Sequence, residues 1–164
     1  ASGFCPACAL ARAGVNLAIG TDGCASNNDL DMFSENRTAA ILAKAVANDA
    51  TALDAATTLR AATLGGATAL GFADRIGSIE VGKQADLVCV DLDALETQPL
   101  HHVISQLVYA AGRHQVTDVW IAGVPKLVAR ELVGMDIDAL IANARQWRDR
   151  IAAIGRATTE SNND

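Results

Sequence analysis

A single short apolar segment near the start of the chain most constrains what it can fold into. Residues 15–20 read Val-Asn-Leu-Ala-Ile-Gly and follow Gly14, a pattern typical of a buried strand in a parallel sheet. The helical segments after it supply no parallel partner, and one strand cannot form a sheet by itself. The sequence therefore predicts that this strand belongs to a sheet whose other strands are mostly missing from the chain.

The next two segments are predicted to be helical. Residues 33–48 are rich in alanine, and Ile41, Leu42, Ala45 and Val46 share one helical face. A second helical region is predicted from residue 51 to residue 70. Its start, Thr51-Ala-Leu-Asp54, has the form of a capping box with aspartate in place of glutamate. A break or tight packing is expected near Gly65-Gly66, and an earlier short helix is expected to start near Pro6.

The second half of the chain is predicted to be mostly β-structure followed by one helix. Strands are expected over residues 76–81, 87–90, 103–111, 116–122 and 126–130, with turns at Gly82 and at residues 123–125. An amphipathic helix is expected over residues 136–155, ending at Gly155. Its apolar face comprises Ile137, Leu140, Ile141, Ala144, Trp147, Ile151 and Ile154. The predicted domains are residues 1–71, 72–133 and 134–155, with a disordered tail at 156–164.

Composition excludes several classes of partner. The chain has 51% hydrophobic residues, only 4% aromatic residues, and a net charge of −6. A negative balance disfavours nucleic acid and anionic membrane surfaces, which need a basic surface. No apolar run is long enough to cross a bilayer, and no signal peptide is visible, so a cytoplasmic location is expected. The chain opens on Ala1 rather than methionine, which hints at processing or truncation.

Cysteine spacing offers a second possible chemistry. Cys5 and Cys8 form a Cys-x-x-Cys pair, which suits a redox pair or half of a zinc site. A zinc ribbon needs another such pair, and the remaining cysteines, Cys24 and Cys89, are far apart in sequence. The four residues are therefore interpreted as ordinary small buried residues in a reducing compartment.

The most site-like feature is Asp22, within Gly20-Thr-Asp-Gly23 at the end of the predicted strand. A carboxylate at the carboxyl end of a strand lies where α/β folds and (β/α)₈ barrels keep their chemistry. Gly23 allows a sharp turn that leaves the carboxylate facing a cavity. An aspartate before glycine is more often only a turn residue, so this motif alone leaves both interpretations open. The chain has no phosphate-binding loop, dinucleotide fingerprint or nucleophile elbow.

The longer sequence around Asp22 resembles a known family. Residues 14–44, which contain Gly-Thr-Asp-Gly-x-Ala-Ser-Asn-Asn-Asp-Leu-Asp-Met-Phe, are similar to the last barrel strand and following helix of the amidohydrolase superfamily. The resemblance is closest to the 5-methylthioadenosine/S-adenosylhomocysteine deaminases, which are related to triazine and ammeline chlorohydrolases. Residues 76–88 look like the glycine-containing hallmark of this superfamily's small β-sandwich. Residues 105–111 and 118–123 also resemble this group, and the similarity covers about Ser2 to Ile154.

This resemblance implies a fold and a chemistry. The fold class is α/β: the carboxyl-terminal part of a (β/α)₈ metallo-hydrolase barrel, part of a small β-sandwich and a closing helix. In such enzymes a divalent metal, usually zinc, activates a water molecule that attacks the amino-bearing carbon of a purine, and ammonia leaves. The family's strand-end aspartate takes the proton from that water. Only Asp22 matches this position, so the resemblance implies that it is metal ligand, catalytic base and substrate contact together.

The same resemblance implies that the chain is incomplete as a catalyst. The family's paired and single histidine ligands and its glutamate lie before the region represented here, and a catalytic zinc needs about three protein ligands. A full barrel needs about 250 residues. The expectation is a fragment of an enzyme that deaminates an adenosine-type nucleoside, inactive alone. Its exposed strand edges and apolar faces are expected to associate with a second copy or with the missing barrel.

Two alternatives remain open at this point. One is a triazine-type or guanine-type hydrolase of the same superfamily, and the other is a non-catalytic association module.

Other polar residues have simpler interpretations. His101, His102 and His114 are expected to be surface or edge residues rather than ligands. Asp29 and Asp31 are expected to cap the following helix. A further group is expected to be structural: Ser26, Asn27 and Asn28, which would bond the loop backbone, and Asp86, which would sit where a turn meets a strand.

Overall fold

A computed structural model describes residues 3–161 as two compact units, 3–131 and 132–161. The first unit contains five α-helices: α1 (Ala7–Arg12), α2 (Met32–Ala47), α3 (Ala55–Arg60), α4 (Gly66–Ala69) and α5 (Val103–Tyr109). A π-helical turn, Ala61–Gly65, joins α3 to α4, and two 3₁₀ turns cover Leu95–Thr97 and Arg113–Gln115. The strands are β1 (Leu87–Val90), β2 (Val116–Ile121), β3 (Val124–Val128) and β4 (Glu131–Leu132), in that order across one sheet. The observed class is therefore mixed α/β.

The sheet is antiparallel where its register is defined. Leu87 of β1 lies opposite Trp120 of β2, and Val119 of β2 lies opposite Leu127 of β3. The β2–β3 hairpin is tied to the strand before it, because Asp86 Oδ1 accepts a hydrogen bond from the Ala122 amide at 2.7 Å. This confirms the structural role expected for Asp86. The predicted strands at 87–90 and 116–122 match β1 and β2, whereas the strand predicted at 126–130 is shifted, because Val124 and Pro125, expected in a turn, already belong to β3 and the strand ends at Val128.

The buried core of the first unit lies among its helices. It is built from small side chains, because Ala40 and Ala43 of α2 are buried whereas the larger Ile41 and Leu42 are exposed. Helix α5 contributes Val108, which is completely buried. The predicted helix over 33–48 is confirmed within one residue at each end, but its larger apolar residues do not form the buried face.

The strand predicted at residues 103–111 is wrong, because Val103–Tyr109 form helix α5 and residues 110–111 follow it without regular structure. The β-branched residues of this segment favoured the strand prediction. Its apolar residues nevertheless recur at 103, 104, 107, 108 and 111, which is helical spacing. Helix α5 packs against α2 and α3, and this packing overrides the local preference.

Residues 15–20 and 76–81 also differ from the prediction, because neither segment is a strand in the described part of the chain. Residues 15–20 lie along the helices instead: the Ile19 amide donates to the Ala61 carbonyl at 3.2 Å, and Asn16 Nδ2 donates to the Gly65 carbonyl at 2.9 Å. A strand requires a neighbouring strand for its remaining donors and acceptors, and residues 3–161 provide none beside this segment.

The helical region predicted at residues 51–70 differs from the structure at its start and near Gly65. Asp54 is itself the N-cap of α3 and accepts from the Thr57 amide at 2.7 Å, so Thr51 does not begin a capping box. The helix does not break near Gly65, because a π-helical turn continues directly into α4, but the tight packing expected there is found between Gly65 and the Leu17 carbonyl. The short helix α1 begins after Pro6, as predicted.

The second unit contains a long helix, α6 (Ile137–Ser161). The Asp136 carboxylate accepts from the Ala139 amide at 2.9 Å at its start. Its predicted apolar residues, among them Leu140, Trp147 and Ile151, are exposed. The helix continues past Gly155, so its predicted end was wrong. Residues 162–164 of the predicted tail lie outside the described residues, and the proposed domain boundaries stay predictions.

No helix in the described part of the chain is long and apolar enough to cross a membrane.

Candidate functional site

Asp22 lies in the loop of residues 21–31, between residues 15–20 and helix α2. Its φ of +60° is in the left-handed region, which aspartate tolerates better than most residues. The backbone turns there, and the side chain folds over its own loop. Asp22 Oδ1 accepts from the Gly23 amide, and Oδ2 accepts from the Ser26 hydroxyl, both at 2.7 Å. Asp22 is therefore both a turn residue and an exposed carboxylate.

The hydrogen bonds at Asp22 favour its charged form. The bond from Ser26 and then the bond from the Gly23 amide lower the pKa of the Asp22 carboxyl below its usual value. A carboxylate has about four lone-pair sites, and these two bonds use two of them. The remaining sites face solvent, so Asp22 can accept a proton, bind a cation or accept a hydrogen bond from a ligand.

Asn27 joins the beginning of the loop to helix α2. Its Nδ2 donates to the Thr21 carbonyl at 2.8 Å and to Glu35 Oε1 at 2.7 Å, and its Oδ1 accepts from the Asp29 amide at 2.9 Å. The expected role of Ser26 and Asn27 in fixing the loop is confirmed, whereas Asn28 is simply exposed.

Asp31 and Asp29 have different roles at the end of the loop. Asp31 is the N-cap of α2 and accepts from the Phe33 amide at 2.9 Å, as predicted. Asp29 does not cap the helix. Its carboxylate instead pairs with Arg113, whose Nη1 also donates to the Asp29 carbonyl at 3.1 Å. The sequence patterns gave no sign of Arg113, because it lies 84 positions from Asp29 and no local motif marks it.

Among the histidines and cysteines, Cys24 lies in this loop and the others lie outside it. All three histidines are exposed, as expected, and His114 Nε2 lies 3.1 Å from Glu96 Oε1. All four cysteines are free thiols. Cys8 is buried as predicted, but the other three, Cys5, Cys24 and Cys89, are exposed. The prediction that all four are buried is therefore wrong, because three of them lie on surfaces of the described chain.

Two open clefts in the first unit do not include Asp22. One, of about 450 Å³, lies between the starts of α3 and α5 and is lined by Asp54, His101 and His102, among others. The second, of about 300 Å³, lies between residues 14–17 and the α3–π region, beside Arg60.

The donor atoms present do not make a zinc site by themselves. A catalytic zinc ion needs about three protein ligands. Within residues 3–161 no group of three or more histidine, cysteine, aspartate or glutamate side chains could hold a metal ion. Asp22 is one carboxylate with two of its acceptor sites already used, so it could supply only one ligand to a site completed by other residues.

The sequence and the fold define the protein class. The model of the amidohydrolase family matches residues 1–126, which is most of the chain, and the chain therefore belongs to that family. Among its relatives, it is 48% identical over 153 residues to a 5-methylthioadenosine/S-adenosylhomocysteine deaminase of Teredinibacter turnerae, a match that covers 93% of this chain and 35% of that protein.

Solved structures extend this comparison. The chain matches an adenosine deaminase from Xanthomonas campestris with bound zinc at 89% identity and a TM-score of 0.91, covering 93% of this chain and 35% of that one. It matches a zinc-bound atrazine chlorohydrolase from Arthrobacter aurescens at 27% identity and a TM-score of 0.81, covering 88% and 32%. The chain thus spans about a third of the length of the relatives it matches.

Proposed function

We propose that this chain forms the Asp22-bearing, carboxyl-terminal part of a (β/α)₈ aminohydrolase. The reaction would be hydrolytic deamination of an adenosine-type nucleoside such as 5-methylthioadenosine or S-adenosylhomocysteine. One observation supports the proposal: an exposed, charged carboxylate follows residues 15–20, at the position that resembles the family's strand end. The names of the closely related proteins support the substrate class, and the much lower identity to the chlorohydrolase disfavours the triazine alternative.

In the proposed enzyme, this chain and the remaining part of the barrel each supply part of the active site. Asp22 would contribute one carboxylate to a zinc site whose other ligands lie on the remaining part of the barrel. The same carboxylate would contact substrate and take a proton during hydrolysis. Because residues 3–161 lack a set of three ligands, we propose that this polypeptide by itself is inactive.

We also propose that association completes the protein. Val15 and Ile41 are about half exposed, as are further apolar residues of the same unit. A second copy or the remaining barrel portion would cover such surface, and the hydrophobic effect would favour that contact.

A hybrid enzyme tests the catalytic role of Asp22. This chain would replace the matching third of the Xanthomonas campestris deaminase, with which it shares 89% identity. Ammonia release from 5-methylthioadenosine is expected from the hybrid and not from the chain alone. Asp22→Asn in the hybrid should lower kcat by at least about a hundredfold, the scale of general acid–base catalysis.

The matched control is Asp74→Asn, which removes the charge of an exposed aspartate outside the loop. Its kcat should remain within about twofold of the hybrid's. Full activity of the Asp22→Asn hybrid would refute the proposed role, and ammonia release by the isolated chain would refute the need for the other barrel residues.

A further inference from the structure

Leu30 adopts a backbone conformation that its own side chain does not favour. Its φ is +37°, outside the regions that a branched residue normally occupies. Burial does not compensate, because Leu30 is 47% exposed. Such a conformation persists only where neighbouring contacts hold it in place. The contacts that flank Leu30 therefore show what fixes the loop of residues 21–31.

One side chain, Arg113, contacts the residues on both sides of Leu30. Its guanidinium pairs with the Asp29 carboxylate and donates to the Asp29 carbonyl at 3.1 Å. Its Nε lies 3.6 Å from Asp31 Oδ2, on the nearly buried carboxylate that caps α2. The planar guanidinium can address several oxygens at once, which an ammonium group does less well. Arg113 therefore fastens the chain before and after the strained position.

Arg113 is itself presented from a firmly held segment. Ala111 is completely buried, and its carbonyl accepts from Arg37 Nη2 of helix α2 at 2.8 Å. Gln115, 2% exposed, accepts from the Gly112 amide at 3.0 Å and donates to the Asp91 carbonyl at 3.0 Å. The Gln115 carbonyl also accepts from the Asp91 amide at 2.8 Å, so the backbone on both sides of Arg113 is bound to other parts of the same unit.

The side chain of Asn27 links Asp29 to the residue before Asp22, the candidate catalytic residue. The Asp29 amide donates to Asn27 Oδ1, and Asn27 Nδ2 holds the carbonyl of Thr21, the residue before Asp22. A continuous set of hydrogen bonds therefore runs from Arg113 to the peptide that carries Asp22. Ser26, which binds the Asp22 carboxylate, lies between these two anchored points.

We propose that Arg113 is a positioning residue, which holds the loop of residues 21–31 so that the Asp22 carboxylate is presented in one orientation. The inference rests on the proposed function for its catalytic consequence. Its structural half concerns this chain alone and is tested without any activity measurement.

Hydrogen exchange on the chain tests the structural half. In Arg113→Gln, the amides of Gly23, Ser26 and Asn27 should exchange at least about threefold faster, the scale of a lost ion-pair network. The Thr58 amide, which bonds to the Asp54 carbonyl inside α3, should be unchanged. The matched control is Arg12→Gln, which removes the similarly exposed Arg12–Asp49 pair at 2.8 Å and should leave the loop amides unchanged.

Two further variants keep this test decisive. Arg113→Lys should give an intermediate exchange rate, because lysine keeps the charge and loses the fork of donors. If Arg113→Gln does not fold, Asp29→Asn removes the same ion pair from the loop side and should accelerate the same amides. Unchanged loop exchange in a folded variant, with either substitution, would overturn the proposal.

The catalytic half is tested in the hybrid enzyme. Arg113→Gln should lower kcat about tenfold, because a displaced reacting group loses rate, with a smaller change in KM. In the Asp22→Asn background the same substitution should have no further effect on kcat, since the group it positions is gone.

The outcomes separate the two proposals. A loop that loosens while kcat stays the same overturns the positioning role, and so does a full additional loss of kcat in the Asp22→Asn background. Full activity of the Asp22→Asn hybrid instead overturns the proposed function, whatever the exchange rates show.

Discussion

Val108 in helix α5 and Val88 in strand β1 are both valines, but one is buried and the other is exposed to solvent. Val108 is completely buried, whereas Val88 is 57% exposed. The difference extends to their elements: each of the helices α2, α3 and α5 contributes buried residues, and no residue of β1, β2 or β3 is buried. Within residues 3–131 the helices therefore form the buried core. The strands β1, β2 and β3 are held together by backbone hydrogen bonds and bury no side chain. Substitutions should accordingly cost more in the helices than in the strands.

The largest loss of stability is expected at Gly65, where the π-helical turn contacts residues 15–20. A Cβ atom at this position would collide with the carbonyl oxygen of Leu17, which is backbone and cannot rotate away. Gly65→Ala should therefore lower the free energy of unfolding by about 3 kcal/mol, at the upper end of overpacking costs. Urea unfolding followed by circular dichroism measures this change.

The adjacent glycine is the control for that experiment. A Cβ on Gly66 would lie 3.8 Å from the nearest atom, the Ala61 carbonyl oxygen, which is an ordinary contact. Gly66→Ala should be neutral or slightly stabilising, because alanine is the better helix former. Equal losses at the two positions would show that the close approach of Leu17 does not control stability.

The two valines give the direct comparison. Val108→Ala removes two methyl groups from a fully buried site and should cost about 2 kcal/mol of unfolding free energy, from lost burial and the remaining cavity. Val88→Ala should cost less than about 0.5 kcal/mol, because its side chain is already half in water. Chemical denaturation of both variants measures the difference, and a larger loss at Val88 would reverse the assignment of the core.

A smaller effect is expected from the caps and turns, and it depends on pH. Asp54 accepts from the Thr57 amide, and this bond lowers the pKa of the Asp54 carboxyl. A lowered pKa means that the stabilisation is complete above the ordinary pKa and is lost as the pH falls through the folded value. Asp54→Ala should cost about 1 kcal/mol at pH 7, and the difference from wild type should shrink below about pH 4.

Asp118 of β2 is the counterpart of Asp54 in the sheet. Bonds from Thr117 and then from the Ala129 amide lower the pKa of its carboxyl. Asp118→Ala should cost less than Asp54→Ala at pH 7, because no helix start depends on it. Unfolding measured at pH 7, 5, 4 and 3 tests both variants, and a pH-independent difference at Asp54 would contradict the capping explanation.

Local sequence signals predicted the parts of this molecule that local physics decides. The Gly-Thr-Asp-Gly motif predicted either a turn residue or a presented carboxylate, and Asp22 is both, whereas its role in metal binding and catalysis stays a prediction. Asp31 was identified as a helix cap, and α2 was recognised from its composition and periodicity. The likeness of residues 14–44 to the amidohydrolases supplied the family, which the family model confirms.

Long-range contacts decided the parts that were predicted wrongly or missed. Residues 103–111 combine β-branched side chains with a helical spacing of apolar residues, and packing against α2 and α3 decides in favour of the helix. In α2, the buried positions are those that face the other helices, so alanines are buried and Ile41 is not. Arg113 reaches Asp29 across 84 positions, and no spacing rule connects two residues so far apart.

The π-helical turn at residues 61–65 makes the packing of residues 15–20 depend on the number of residues in the turn. A π turn holds one residue more than an α turn, and each residue added to a helix rotates the succeeding residues by about 100°. Here the turn directs the carbonyls of Ala61 and Gly65 to Ile19 and Asn16. We expect that deleting one residue between Ala61 and Gly65 would restore a regular α-helical turn and change the spacing of these two carbonyls, so that Ile19 and Asn16 would not both keep their acceptors. The length of this stretch therefore matters as well as its residue types. A related sequence with a one-residue gap here is expected to bind its counterpart of residues 15–20 differently.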